Sequence, residues 1–252
     1  MDIAPKLHEQ YAKMLQYLSE ETTLKFEFVY CSSYEELFNK LQKNEVDMAE
    51  LGPLPYLKLS TKMPHLKPIV TFLTQAGEDA YTCKLFTYSK KDKKIEDFNP
   101  KETTLFLTSQ HSTCGSLMMR EILLKNGKSL EEFSNEYAQT HSNVVLQALL
   151  TPNSIGGIKS TVYKNYKHLG LTTLGTSQKI PGFTFAVNSN ALSGATIQKI
   201  QTALTKLKPL TDAQDWQITK KWGKNIRYGA VVTPPNAYKT LIKVWQESNN
   251  AH

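Results

Sequence analysis

Residues 104–127 read TLFLTSQHSTCGSLMMREILLKNG, and the fold turns on how this stretch is read. Thr104 to Thr108 is a short β-branched and apolar run of the kind that forms a buried strand. A small polar turn follows from Ser109 to Gly115. From Ser116 to Lys125 apolar residues recur at helical spacing, with Leu117, Met118, Ile122 and Leu124 on one side and Gly127 where a C-cap belongs. The expected unit is strand, hydroxyl-rich turn, helix. The first amides of such a helix have no internal partner and sit at the positive end of the macrodipole, so they favour a bound anion. Ser112 and Thr113 add hydroxyl donors, and Gly115 lets the backbone approach closely. An ordinary N-cap turn explains the same hydroxyls without a ligand, so the turn alone leaves both readings open.

The flanking sequence extends the pattern. Pro5 to Glu20 places Leu7, Tyr11, Leu15 and Leu18 on one helical face. Leu24 to Tyr30 alternates and reads as a strand. Ser33 and Glu36 have the spacing of a capping box, which opens a helix running to about Lys43. Val46 to Glu50 reads as a short strand, Gly52 as a tight turn, and Pro53 as the start of a helix ending before Pro64. Helices alternating with strands in this way imply a parallel sheet, whose ligands bind at the carboxyl ends of strands. Glu50, Leu51 and Gly52 stand at such an end. Tyr81 to Tyr88 and Phe183 to Asn188 are two further extended runs. Leu130 to Tyr137 is expected as a helix, 151–157 as a loop, and Val144 to Leu150 as a buried helix with Ser142 as N-cap and His141 before it. Ser193 caps a helix carrying Ile197, Ile200, Leu204 and Leu207, and a final helix spans about Pro235 to Gln246. This order describes an α/β protein of two lobes: residues 1–84 with 188–252, and 85–187. Two crossing strands form the hinge and a ligand cleft lies between the lobes.

Composition bounds the function. The chain has 252 residues, 40% hydrophobic and 21% charged, which is the balance of a globular protein. No window approaches eighteen consecutive apolar residues, so no membrane-spanning segment is expected. The opening MDIAPKLHEQ has no basic region followed by an apolar one, so no signal peptide is read within it; a native start and a chain trimmed behind a leader both remain open. A net charge of +7 favours anionic partners. The lysines are scattered, however, with local runs at Lys90, Lys91, Lys93 and Lys94 and at Lys220, Lys221 and Lys224. Both runs read as solvated surface, and nucleic acid is not an expected partner. Cys31, Cys83 and Cys114 are odd in number and widely spaced, fitting neither a disulfide framework nor a zinc site. No metal or cofactor is expected. Tyr11, Phe26, Phe28, Phe183, Phe185 and Trp245 read as packing; His8, His65, His168 and His252 read as surface.

Four ordered segments resemble the periplasmic binding proteins for phosphate, phosphite and phosphonate that serve ABC transporters. Val46-Asp-Met-Ala-Glu-Leu-Gly-Pro-Leu-Pro-Tyr56 resembles that family's VD-x-A-x-x-GPLSY turn, and His111-Ser-Thr-Cys-Gly-Ser-Leu117 its STSG-x-L anion grip. His141 matches the histidine of its HD or HE pair, and the stretch ending Ser160-Thr-Val-Tyr163 matches one ending SSVY. The run IPGFTFAVNSNAL resembles the family's return strand. The resemblance implies the type II periplasmic-binding fold, with each lobe a mostly parallel sheet flanked by helices. It further implies a monomeric, periplasmic or otherwise extracytoplasmic solute-binding protein, with or without a lipid anchor, that delivers a small phosphorus oxyanion to a membrane permease. By the same resemblance Ser112, Thr113, Cys114 and Gly115 grip the anion, His141 donates to it with Ser142 beside it, and Glu50, Leu51, Gly52 and Tyr56 approach from the other lobe.

The sequence also departs from that family. Cys114 replaces a serine, and a thiol is the weaker donor, so its backbone amide has to supply the contact. Ser142 replaces a carboxylate and Lys159 stands where an aspartate is frequent, which disfavours an aminoalkylphosphonate and favours a more fully charged anion. Glu50 and Leu51 replace an aromatic pair, and residue 1 falls in the loop expected after the family's first strand, so that a truncated chain and a lost strand both remain open. Two other classes compete. A sensor or partner-docking module would use the same fold without transport. A Cys–His enzyme would use Cys114 as nucleophile and His141 as base.

Overall fold

The computed structural model describes residues 4–89 and 92–250. The readings of Lys90, Lys91 and His252, and those of the side chains of Pro5 and Leu7, lie outside the described residues. The chain begins with helix α1 (Ala4–Thr22), helix α2 (Tyr34–Gln42), strand β1 (Met48–Leu51), helix α3 (Pro53–Ser60) and strand β2 (Leu66–Phe72). Strands β3 (Ala80–Tyr81), β4 (Cys83–Tyr88) and β5 (Thr104–Leu107) precede helix α4 (Met118–Lys125), strand β6 (Ser134–Tyr137) and helix α5 (His141–Leu150). Strand β7 (Ser154–Lys159), helix α6 (Ser160–Tyr166) and strands β8 (Leu171–Thr176), β9 (Ile180–Pro181) and β10 (Thr184–Asn188) follow. Helices α7 (Gly194–Lys206) and α8 (Ala213–Thr219), strand β11 (Ala230–Val232) and helix α9 (Lys239–Asn250) complete the chain. Two compact units result, one of residues 2–80 and 181–238, the other of 81–180 and 239–252. β3 and β9 pair with each other where the chain passes between the units.

In the unit of 2–80 and 181–238 the sheet order is β1-β10-β2-β11, and all three ladders are antiparallel. β10 is central and every residue of it is buried. Its core joins Met14 and Leu18 of α1 to Val70, Phe72, Phe185 and Val187 of the sheet and to Ile200 and Leu204 of α7. Ser33 Oγ accepts from the Glu36 amide at 3.1 Å and Ser193 Oγ from the Thr196 amide at 3.1 Å, so both expected caps are in place. Leu24–Tyr30 corrects the sequence reading. Leu24, Phe26, Phe28 and Tyr30 are half-buried while Lys25, Glu27 and Val29 are exposed, so the period of two is there. The segment joins no ladder among the described residues, because the sheet order ends at β1. An alternating face is enough to pack an extended segment against a core; a strand also needs a hydrogen-bonding partner.

The unit of 81–180 and 239–252 carries a five-stranded sheet of order β6-β5-β7-β4-β8. β6, β5 and β7 run parallel, whereas β4 is antiparallel to both β7 and β8. In this α/β fold the first sheet is thus wholly antiparallel and the second mixed, so neither lobe has the mostly parallel sheet expected. Two further readings change here. Leu130–Tyr137 is a single turn, Leu130–Glu132, capped by Ser129 and followed by the exposed strand β6, which supplies a parallel edge. The Gly- and Ser-rich 151–157 is largely the start of β7, a strand buried at all but its last residue. Its glycines serve packing: a Cβ at Gly156 would lie 2.8 Å from the Phe86 ring, and one at Gly157 2.3 Å from Met119 Cγ. The last helix starts at Lys239, four residues later than the spacing suggests, after a turn closed by the Ala237 amide on the Pro234 carbonyl. α4 ends as expected, with Gly127 at φ +68° and bonds from Gly127 N to Leu124 O and from Lys128 N to Leu123 O, a Schellman motif.

Candidate oxyanion site

Register places the site. Thr104 lies opposite Ser154 and Phe106 opposite Gly156, while Leu107 lies opposite Tyr137. The three parallel strands therefore end at one edge, and the residues after them are gathered there: Ser109–Gly115 after β5, Gln139–Ser142 after β6, Lys159 at the end of β7. This is the edge at which such sheets bind ligands. The Ala138 amide donates to Leu107 O at 2.7 Å and the Gln139 amide to Thr108 O at 3.0 Å, so the first two connections are stitched together. Gln139 then takes a positive φ of 66°, turning the chain into α5.

The hydroxyl-rich turn enters its helix through one π-turn, Thr113–Leu117, before α4 proper. Ser112 is the N-cap, its Oγ accepting from the Gly115 amide at 2.9 Å. Gly115 is required: a Cβ there would lie 1.9 Å from Thr108 Oγ1 and 2.7 Å from Thr108 N. Thr108 Oγ1 is itself buried with no hydrogen-bond partner. Sequence reading missed Thr108, treating it as a strand end; the only signal was a threonine directly before the turn.

His141 is the first residue of α5, and Thr140, not Ser142, is the N-cap, with its hydroxyl accepting from the Asn143 amide at 3.1 Å. Both are hydroxyl residues at cap spacing, so sequence alone favours neither. Ser142 is exposed, its Oγ accepting from the Tyr166 hydroxyl at 3.1 Å. The His141 residue keeps some exposed surface, but Nδ1 is buried and lacks a partner. Burial, and secondarily the Lys159 ammonium, push its pKa down to about 4. The ring is therefore neutral at physiological pH, able to offer one N–H but no charge. Between pH 6.5 and 4 an unfolded imidazole takes up a proton that the folded one refuses. The folded state thus loses up to about 3 kcal/mol as the pH falls through this window. Urea titrations at pH 7.5 and 4.5 should show the parent losing more stability than His141→Gln; equal losses would refute the burial of a neutral ring.

Lys159 stands at the same edge, at the end of β7. Its Nζ lies 4.2 Å from the centroid of the buried Tyr81 ring, a cation–π contact that holds the ammonium at the strand end. The largest surprise is Cys114, which is disulfide-bonded to Cys83 with their Cα atoms 5.2 Å apart. The expectation of unpaired cysteines is corrected, and only Cys31 is free. Cys114 then has no thiol to donate a hydrogen bond and no thiolate to attack a substrate, which removes the nucleophile from the Cys–His alternative. The pairing was invisible in sequence because 31 positions separate the two and a third cysteine competes.

The structure thus brings Ser112, Thr113, Cys114, Gly115, His141 and Ser142 to one edge of one unit. The remaining predicted residues belong to the other unit. Glu50 accepts a hydrogen bond from the Tyr11 hydroxyl. Leu51 is buried at the end of β1, and Gly52 is the N-cap of α3. Tyr56 is buried with its ring centroid 4.4 Å from that of Tyr238, and burial pushes its pKa up to about 12. Of the residues read as surface, His8 packs edge-on against Phe28, and Lys220, Lys221 and Lys224 are exposed.

An antiparallel and a mixed sheet, each flanked by helices and linked by short paired strands, with a hydroxyl-rich turn at a strand end, define the type II periplasmic binding fold. The match to a model of the ABC transporter phosphonate periplasmic substrate-binding proteins runs over residues 4–230, and the chain belongs to that family. Among solved structures it is similar to Prochlorococcus marinus PhnD1 in complex with methylphosphonate, at 12% identity and TM-score 0.78, covering 98% of this chain and 95% of that one. A binding protein component of a phosphonate ABC transporter from Pseudomonas aeruginosa gives 16% identity and TM-score 0.76, with 98% and 83% covered. An Escherichia coli periplasmic aliphatic sulphonate binding protein gives 13% and 0.61, with 97% and 87% covered. A search of curated protein sequences finds no match. No described helix is long and apolar enough to cross a membrane.

Proposed function

We propose that this protein captures a small phosphorus oxyanion (phosphate, phosphite or a phosphonate) outside the cytoplasm and delivers it to the permease of an ABC transporter. The observation that carries the reading is the pair of buried polar atoms without partners, Thr108 Oγ1 and His141 Nδ1, at the edge where the Ser112–Gly115 turn and Lys159 also lie. Buried polar atoms are nearly always satisfied, and an oxyanion is a partner that fits. In this reading the anion rests on the Thr113 and Cys114 amides and the Ser112 and Thr113 hydroxyls, the Ser112 and Gly115 amides already donating to Ser109 O and Ser112 Oγ; His141 donates one N–H, and Lys159 supplies the charge that a neutral imidazole does not. Backbone amides at a helix start, a lysine and neutral donors suit a phosphonate well. The Cys83–Cys114 disulfide favours an oxidising compartment.

The test is a thermal-shift panel on ligand-stripped protein with phosphate, phosphite, methylphosphonate, 2-aminoethylphosphonate and sulfate. A ligand at 100 times its Kd adds about 2.7 kcal/mol, or roughly 5–10 °C for a chain of this size. The expected result is a selective shift with one phosphorus anion and the smallest phosphorus-anion shift with 2-aminoethylphosphonate, whose ammonium would face Lys159. A shift with sulfate alone would move the ligand class to sulfur oxyanions, and a flat panel on folded protein would refute oxyanion capture.

A further inference from the structure

We infer that Cys83 is a positioning residue for the anion: through its disulfide it holds the Ser112–Gly115 turn in the orientation that grips an oxyanion. The inference rests on the oxyanion reading above. Cys114 follows β5 and Cys83 begins β4, and in the sheet order β7 lies between those strands. The bond therefore reaches across β7. The turn lies directly on that strand, since a Cβ built at Gly157 would come within 3.3 Å of the Cys114 carbonyl oxygen. Cys83 is a firm anchor: its amide donates to Ser177 Oγ at 2.8 Å, and its carbonyl accepts from the Ser177 amide at 3.0 Å. Its ladder partner is Lys159. The disulfide thus fixes the hydroxyl-rich turn relative to the cation at the same edge.

The turn is one that needs such fixing. Thr113–Leu117 is a π-turn, closed by the Met118 amide on the Thr113 carbonyl, and such single turns replace the i→i−4 bonds of an α-helix and are frequent at functional sites. Both cysteines are buried, with Cys83 at 0% and Cys114 at 2% exposure. A solution reductant does not readily reach them, so the bond acts as a fixed clamp and not as a switch. Cys83 itself lies in the sheet and is required only through Cys114.

The experiment compares the parent with Cys83→Ala by calorimetric titration with each of the five anions above, at a temperature where both are folded. Backbone hydrogen exchange is followed in parallel without ligand. The variant should bind the parent's best anion at least 10-fold more weakly. Exchange in residues 113–118 should accelerate at least 10-fold while β7 and α5 stay as in the parent. Parent-like affinity in Cys83→Ala overturns the inference. So does weakened binding with exchange accelerated evenly through the unit, which would make the bond merely stabilising. Should Cys83→Ala not fold, the same two readings are taken on Cys83→Ser/Cys114→Ser, which fills the space without the bond. A parent that binds none of the anions overturns the oxyanion reading and this inference with it, whereas a binding parent and an equally binding variant overturn the clamp alone.

Discussion

Replacing Ser112 and Thr113 together by alanine is expected to lower oxyanion affinity by about 10²–10⁴-fold, two charge-assisted hydrogen bonds at about 1.5–3 kcal/mol each. The two hydroxyls do not play the same part. Ser112 Oγ already accepts from the Gly115 amide, so its hydrogen is free to point at a ligand while its lone pair holds the turn. Removing it loses a donor and a cap, and the cap alone is worth about 1 kcal/mol of stability. Thr113 is buried within the turn and is not the cap. Ser112→Ala should therefore lower both the melting temperature and the affinity, and Thr113→Ala mainly the affinity. Calorimetric titration with the anion that gives the largest thermal shift measures this. A double variant that binds as well as the parent would place the grip on other residues.

The turn was legible in sequence because its chemistry is local. A strand of apolar and β-branched residues, a run of small polar ones and an apolar helical stripe each follow from neighbours within a few positions. The same holds for the caps at Ser33 and Ser193 and for Gly127, where one residue type solves one backbone problem. Errors arose where the deciding partner is distant. Leu24–Tyr30 has the alternation of a strand, but whether it pairs is settled by which strand ends the sheet. Residues 151–157 have the composition of a loop but run into the central strand β7, because Gly156 and Gly157 answer to Phe86, Val144 and Met119 on elements far away in sequence. Cys114 was legible as a member of the hydroxyl-rich turn and illegible as half of a disulfide, since nothing near it names Cys83.

The electrostatics divide in the same way. That a histidine and a lysine stand near the site is visible in sequence. That the histidine is neutral is not, because its pKa of about 4 is set by burial on α5 and by a cation on β7. The consequence for function is direct. On the proposed reading, with the imidazole uncharged, an anion at this edge would be held by oriented amide dipoles, hydroxyls and one ammonium, a set that favours oxyanions through many short bonds in place of one strong ion pair.

Gly115→Ala is expected to cost about 1–3 kcal/mol of stability and to lower oxyanion affinity by more than about 10²-fold in protein that remains folded. The added methyl would lie 1.9 Å from Thr108 Oγ1 and 2.7 Å from Thr108 N. The hydroxyl can rotate aside, but the backbone nitrogen cannot, because the Thr108 carbonyl of the same residue is held by the Gln139 amide at 3.0 Å. The turn must then lift off the end of β5, carrying the Thr113 and Cys114 amides with it. Adding Thr108→Ala to Gly115→Ala relieves the hydroxyl conflict and leaves the backbone one, so it should recover part of the stability and little of the affinity. Gly156→Ala is the control. Its methyl would meet Phe86 and Val144 at 2.8 and 2.9 Å in the core of the same unit. It should lower the melting temperature at least as much while leaving the affinity of the folded protein near the parent's. If Gly115→Ala binds like Gly156→Ala once both are folded, the close packing of the turn on β5 serves stability alone and the oxyanion is gripped elsewhere.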